Sequence, residues 1–388
     1  MEKQFAQTER NTNLEILRII SMVLIVMSHS DDWMGLAGLY SKTVCLNKFI
    51  TDWLHLGGQI GVGCFLLISG YFMVDKQITL KKIMRILGEV WFYTISIWLI
   101  FLAVGILNGS CDWKILLKEG LCAFFPFLFS HYWFVTAYII LMILSPFFNK
   151  LISVFDKRTY QFFLFTIIII FVVIDGGIPK TLQGMSEGRL IPVFIMYYIA
   201  GYIKKYVTGK KNNARKHIAV SVFMYFLLYL SCVVIGTVGD MLNSETIIAY
   251  CYFWRPLNSP VVVVICVELF LGFLRLSPRG NKIVYMIAKS TFGIYLLHCN
   301  RIISKYLLPR LFPVYKETNS LLLLIYSAGS VVTVFAVCSA IDLVRSKTVE
   351  KTWNRFLDKY LCNREEKIEC MIKKAYVSCQ NILHRYYQ

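Results

Sequence analysis

The chain reads as an all-α, polytopic membrane protein with about ten transmembrane helices and both termini cytoplasmic. Three observations predict this. Hydrophobic residues make up 57% of the 388 and charged residues only 16%, against about 25% charged in soluble domains. Apolar runs long enough to cross a bilayer, which takes about 20 residues, recur along the chain. Loops rich in Lys and Arg alternate with loops poor in them, as the positive-inside rule requires. The net charge of +18 is accounted for by those loops and by a basic C-terminal tail, so no nucleic-acid partner is expected.

Hydropathy places spans at roughly 14–33, 54–74, 84–108, 131–153, 159–175, 190–207, 217–238, 246–274, 283–308 and 319–345. Each must be helical, because lipid offers no partner to an unpaired backbone group. The first is retained rather than cleaved, since His29, Ser30, Asp31, Asp32 and Trp33 follow Ser28 with no small-x-small site. The loops after the second, fourth, sixth and eighth spans hold the basic clusters, among them Lys76, Lys81, Lys82 and Arg85. Trp53, Trp91, Trp113, Trp133 and Trp254 sit near span ends, where amphipathic rings favour the interface.

Some segments need separate treatment. Segment 109–130 is long and apolar, and its Trp113, Leu116, Leu117, Leu121, Phe124 and Phe125 predict an amphipathic helix on the outer surface. Segment 246–274 contains Pro256, Asn258, Ser259 and Pro260, so it is either kinked or begins later, near Val261; Glu268 inside it needs an internal partner or a proton. Residues 1–345 thus form the membrane domain. Residues 346–388 form a basic amphipathic tail, with Trp353, Phe356, Leu357 and Tyr360 at helical spacing.

The twelve cysteines contain no CxxC pair, so no metal site is expected from spacing. Cys64, Cys232, Cys266 and Cys299 fall in apolar runs, as small hydrophobes do. Cys45, Cys111, Cys122 and Cys251 fall in predicted outer loops, where a disulfide among them can form.

Chemistry points first to the opening span. Arg18 and His29 are eleven residues apart, almost three helical turns, and so share one face about 16 Å apart along the axis. Ionisable side chains in a span are costly and face the bundle interior for a functional reason. An imidazole titrates near neutral pH and can act as a general base, with Asp31 or Asp32 at hand to orient it. Arg18 can bind a phosphate or thioester-bearing arm, or pair with Glu15 three residues earlier.

Several segments together resemble the acyltransferase 3 family of integral-membrane O-acyltransferases of bacterial envelopes. The first span carries an Arg-x10-His arrangement as Arg18 and His29, preceded by Leu14-Glu15-Ile16-Leu17. The second ends Phe65-Leu66-Leu67-Ile68-Ser69-Gly70-Tyr71. Lys82-Ile83-Met84-Arg85 stands where the family often has Arg-x-x-Arg. The fourth span opens His131-Tyr132-Trp133-Phe134, and the ninth reads Ser290-Thr291-Phe292-Gly293-Ile294-Tyr295-Leu296-Leu297-His298. The resemblance implies transfer of an acyl group, usually acetyl, from a cytoplasmic acyl-CoA to a hydroxyl of an envelope polysaccharide or lipid-linked sugar. No permanently bound cofactor is implied, acetyl-CoA being the donor substrate, and the location is the bacterial cytoplasmic membrane.

On that reading His29 is catalytic, either as base for direct transfer or through an acyl-histidine relay. Arg18, Lys82 and Arg85 hold the donor, and Glu15, Ser69, His131 and Trp133 contact substrate. His298 reads as a packing histidine, and His55 and His217 have no chemical context. The rival reading is a transporter or exporter of sugars or lipid-linked glycans without bond chemistry; a ligand sensor lacks a sizeable output domain.

Overall fold

The computed structural model describes residues 11–36, 45–109, 112–129, 132–178, 190–207, 213–277, 280–313 and 320–386, with 361–386 as backbone alone. Among these residues every element is helical. The principal helices are α1 (Thr12–Trp33), α2 (Leu46–Met73), α3 (Leu80–Leu107), α4 (Trp113–Phe124), α5 (Trp133–Val154), α6 (Lys157–Ile168), α7 (Leu190–Tyr202), α8 (Ala214–Met241), α9 (Pro260–Arg275), α10 (Lys282–His298) and α11 (Leu322–Tyr386). Helices α6 and α7 run on as π-helical turns, Ile169–Ile174 and Ile203–Val207. Their starts follow local chemistry: Asn11, Thr79, Asp112, Asp156 and Asn281 each cap a helix by accepting from a backbone amide one to three residues into it.

Eight of the expected spans are helices long and apolar enough to cross a bilayer. The remaining two are present but short. Helix α9 has 16 residues and begins at Pro260, the later of the two starts the sequence allowed. Proline has no amide to extend the ladder backwards and fits the first helical turn. Helix α10 has 17 residues and stops at His298. Glu268 finds its internal partner in His217, whose Nδ1 lies 2.6 Å from Oε2.

Helices α1 and α2 form the centre. Between helices in lipid the attraction is close packing rather than water exclusion, and small residues permit it. Gly61 sets α2 against the Ser21 carbonyl of α1, and Gly58 sits against the Ser28 side chain. Helix α10 packs on the other side of α1. Large apolar side chains such as Leu99, Phe147, Phe162, Phe223 and Val332 stay exposed on the outward faces, as a lipid-facing surface should.

One segment differs from expectation. Helix α4 does not lie on the outer surface but runs back antiparallel along α3. Trp98 Nε1 donates to the Leu116 carbonyl at 3.0 Å, Thr94 Oγ1 to Ala123 at 2.8 Å and Trp91 Nε1 to Phe124 at 3.1 Å. The last two acceptors are carbonyls at the helix C-terminus, which lack intrahelical partners; polar handles on α3 supply them. The tail, in turn, continues α11 without a break past Arg345. Trp353 docks against Gly88 of α3 and donates to the Met84 carbonyl at 3.2 Å, and Asp358 pairs with Lys81. Of the outer-loop cysteines, Cys45, Cys122 and Cys251 are free thiols, and Cys111 lies outside the described residues. Cys251 neighbours Cys232, with 2.9 Å between sulfurs.

Candidate active site

Four helices meet around one small interior cavity, each with a stripe of side chains running past it. On α1 the stripe is Arg18, Met22, Ile25 and His29, at spacings of four, three and four residues. On α2 it is Val62, Phe65 and Ser69, on α5 Phe134 and Tyr138, and on α10 Phe292, Tyr295 and His298. Met22, Ile25, Val62, Phe65, Phe134, Phe292 and Tyr295 together line an enclosed cavity of about 20 Å³, room for about one water molecule. The rings of Phe134 and Tyr138 stack at 6.0 Å, and Tyr295 meets Phe134 edge-on at 5.7 Å. The interior between the two polar ends of the α1 stripe is therefore tightly packed and largely aromatic.

At one end, Arg18 Nη1 donates to Glu15 Oε2 at 2.8 Å. Glu15 is nearly sealed, with 6% of its side chain accessible, whereas Arg18 keeps 23%. Tyr138 stands within hydrogen-bonding reach of Ser69 and close enough to Arg18 to feel its charge. The Glu15–Arg18 pair that the sequence allows is thus formed, with Tyr138 and Ser69 beside it.

At the other end, His29 Nδ1 lies 3.1 Å from His298 Nε2. His298 Nδ1 is 2.6 Å from the Ile294 carbonyl, which can only accept. A neutral His298 therefore carries its proton on Nδ1 and offers a lone pair at Nε2. His29 must then donate from Nδ1, which leaves the lone pair of His29 on Nε2. Two histidines and one carbonyl thereby fix the tautomer of a base. Tyr132 secures this arrangement where α10 ends. Its hydroxyl donates to the Leu296 carbonyl at 2.7 Å and accepts from Asn300 Nδ2 at 3.1 Å.

The sequence places Asp31 and Asp32 at hand to orient His29 and makes His298 a packing residue. The geometry reverses this. Asp31 instead faces His55 of α2, with 3.1 Å between Oδ2 and Nδ1, close enough for an ion pair but out of line for a hydrogen bond. His55 and Arg255 are close enough to His29 for their charges to act on it. Several buried polar atoms on the helices and loops at this end have no hydrogen-bond partner among the described residues: both Asp31 carboxylate oxygens, Trp33 Nε1, Thr51 Oγ1, His55 Nδ1, Arg255 Nε and Ser259 Oγ.

The other expected residues fall elsewhere. Trp133 opens α5 beside Phe134, their rings 5.9 Å apart. His131 lies outside the described residues. Lys82 is exposed near Lys76. Arg85 lines a different cavity, a groove of about 690 Å³ between α3 and α11 that also takes in Trp91, Arg345, Trp353 and Asn354.

The fold is thus a multi-span helical bundle with a pair of imidazoles in its interior. A family model described as an acyltransferase domain matches residues 11–341, so the chain belongs to the acyltransferase 3 family. No curated protein and no solved structure matches the chain.

Proposed function

We propose that this multi-pass membrane acyltransferase moves an acyl group, acetyl by expectation, from acyl-CoA to a hydroxyl of an envelope polysaccharide or lipid-linked sugar in a bacterial cytoplasmic membrane. The observation that carries the reading is the α1 stripe, which sets Arg18 and His29 on either side of a small cavity that Met22 and Ile25 of the same stripe line. The donor's phosphorylated end suits Arg18, with Lys82 and Arg85 in the first turns of α3 as further cations. On this reading the thin acyl-bearing arm reaches His29 between these helices, and the aromatic rings around the cavity must turn aside to admit it.

His29 Nε2 takes the proton of the acceptor hydroxyl as its oxygen attacks the thioester carbon. The carbon–sulfur bond breaks, the coenzyme thiolate leaves, and the proton on His29 passes to it. His298 holds the tautomer throughout. The unpaired polar atoms of Asp31, Trp33, Thr51, His55, Arg255 and Ser259 support a polyhydroxylated acceptor on this side. Each buried polar group without a partner costs about 1–3 kcal/mol, and a sugar offers donors and acceptors to match both kinds.

The test is incubation of membranes with labelled acetyl-CoA, followed by recovery of label on envelope glycan. Label transferred by the native protein and lost in His29→Ala at equal protein level is expected. Undiminished transfer by the variant would overturn the role of His29, and glycan export lost with acetylation intact would favour a transporter.

A further inference from the structure

The geometry points to a thiophilic-cation site, for Zn²⁺ or a similar ion, formed by His29, His298 and Cys299. Three ligand atoms face one another at this point: His29 Nδ1 and His298 Nε2 are 3.1 Å apart, and Cys299 Sγ is 3.4 Å from the first and 3.3 Å from the second. Zinc bonds of about 2.0–2.1 Å to nitrogen and about 2.3 Å to sulfur, held tetrahedrally, place two nitrogens ~3.3 Å apart and nitrogen and sulfur ~3.6 Å apart. The triangle already has the dimensions of one tetrahedral face to within a few tenths of an ångström.

The surroundings match the chemistry of a metal ligand set. His298 donates its second ring N–H to the Ile294 carbonyl, the outer contact that orients a metal-binding imidazole and raises its basicity. Cys299 follows His298 directly, so the backbone that fixes one ligand fixes the other, and the Tyr132–Asn300 bond holds that stretch. Two nitrogens and one sulfur suit Zn²⁺ or Cd²⁺ and not Mg²⁺ or Ca²⁺. Three protein ligands leave a fourth position for water. On binding, the Cys299 thiol releases its proton to solvent.

A consequence for activity follows, and it rests on the role proposed above for His29. An ion on Nδ1 of a neutral imidazole moves that ring's proton to Nε2. The lone pair that would accept the hydroxyl proton is then gone. The bound cation is an inhibitor, not a cofactor.

A second group, Asp52, Cys232 and Cys251, also has its ligand atoms within 4.8 Å of one another. There Asp52 is already held by Lys48 at 3.0 Å and by the Tyr252 hydroxyl, so a cation would have to displace Lys48. That group serves as the control.

The experiment titrates detergent-purified full-length protein with Co²⁺ and then Zn²⁺. A sulfur-to-cobalt charge-transfer band that Zn²⁺ removes is expected for the native protein and for Cys251→Ser. In Cys299→Ser the band is absent and Zn²⁺ binds at least roughly 100-fold more weakly, a larger effect than loss of an outer contact. Thermal unfolding of both variants without metal, matching the native protein, shows that the folds are intact. No band in the native protein, or a band that survives Cys299→Ser, would overturn the site. In the transfer assay, Zn²⁺ should inhibit the native protein reversibly by chelation and Cys299→Ser far less. Cys299-dependent binding with undiminished transfer would leave the cation site standing and overturn Nε2 of His29 as the base.

Discussion

His298 Nε2 accepts from His29 Nδ1 across 3.1 Å, while its own Nδ1 is anchored on Ile294. The pair sits where α10 stops short of a full span. His298 is a positioning residue, and its loss should act on rate rather than on binding. His298→Ala is expected to lower kcat by roughly 10–100-fold, the usual cost of losing an outer partner, with KM for either substrate little changed. His29→Ala should lose the whole base contribution, about 10²–10⁴-fold. Steady-state kinetics on both variants checks the order; a His298→Ala defect confined to KM would refute the positioning role.

Arg18 makes a different prediction. Its guanidinium is tied to a nearly sealed Glu15 yet remains partly accessible. Arg18→Lys keeps the charge and loses the planar fork that grips a carboxylate or phosphate. A hydrogen bond to a charged group is worth about 1.5–3 kcal/mol, so KM for the acyl donor should rise roughly 10–100-fold. Acceptor KM should stay level. A rise in acceptor KM alone would place the donor elsewhere.

The contrast between these two residues shows what the sequence carries. Arg18 and His29 were legible because helical phase puts both on one face of one span, and the same phase explains why Met22 and Ile25 line the cavity between them. His298 was not legible as their partner, because nothing in one sequence states which spans are neighbours. Helix α4 shows a second limit: an apolar, amphipathic segment packs as readily on α3 as on a membrane surface, and only the Trp91, Thr94 and Trp98 donors decide between the two. The early end of α10 left no proline or glycine to mark it. The start of α9 did, at Pro260.

Ser259 offers a test of the acceptor side. Its Oγ is buried without a hydrogen-bond partner among the described residues. Removing a hydroxyl that bonds nothing among the described residues should not reduce stability. If that hydroxyl meets the acceptor, Ser259→Ala should raise acceptor KM by roughly threefold to tenfold, the worth of one hydrogen bond, with the melting temperature unchanged. A fall in melting temperature with unaltered KM would make Ser259 a structural residue.

Gly61 tests the packing that holds the site together. A Cβ added there would collide with the Ser21 carbonyl, and backbone cannot swing aside as a flexible side chain can. Gly61→Ala should therefore cost about 1–3 kcal/mol by overpacking, read as a lower midpoint in thermal unfolding of the solubilised protein. Gly329, with nothing near its Cβ position, is the matched control, and Gly329→Ala should be neutral or slightly stabilising within its helix. Equal midpoints for the two variants would show that α1 and α2 are not in the close contact described.

Arg345 carries the last prediction, through a buried ion cluster that the sequence reading passed over at the edge of its final span. Its Nε donates to Asp342 Oδ1 at 2.7 Å and its Nη2 lies 2.9 Å from Glu89 Oε1. Tyr93 donates to the same Asp342 oxygen at 2.7 Å, and Arg345 keeps only 7% of its side chain accessible. The cluster ties α3 to α11. Removing Arg345 would leave Glu89 and Asp342 facing each other away from water, while Glu350, 4.0 Å from the guanidinium, keeps its pair with Lys289. Arg345→Leu should thus destabilise by about 3–5 kcal/mol, the cost of stranding a buried charge. Replacing Arg345 together with the two carboxylates nearest to it, Glu89→Gln with Asp342→Asn and Arg345→Leu, should restore much of the loss, because Glu350 still has Lys289 as its partner. Thermal unfolding of the single and triple variants decides it. A triple variant less stable than Arg345→Leu alone would mean that the charges stabilise the bundle by themselves and not merely by cancelling one another.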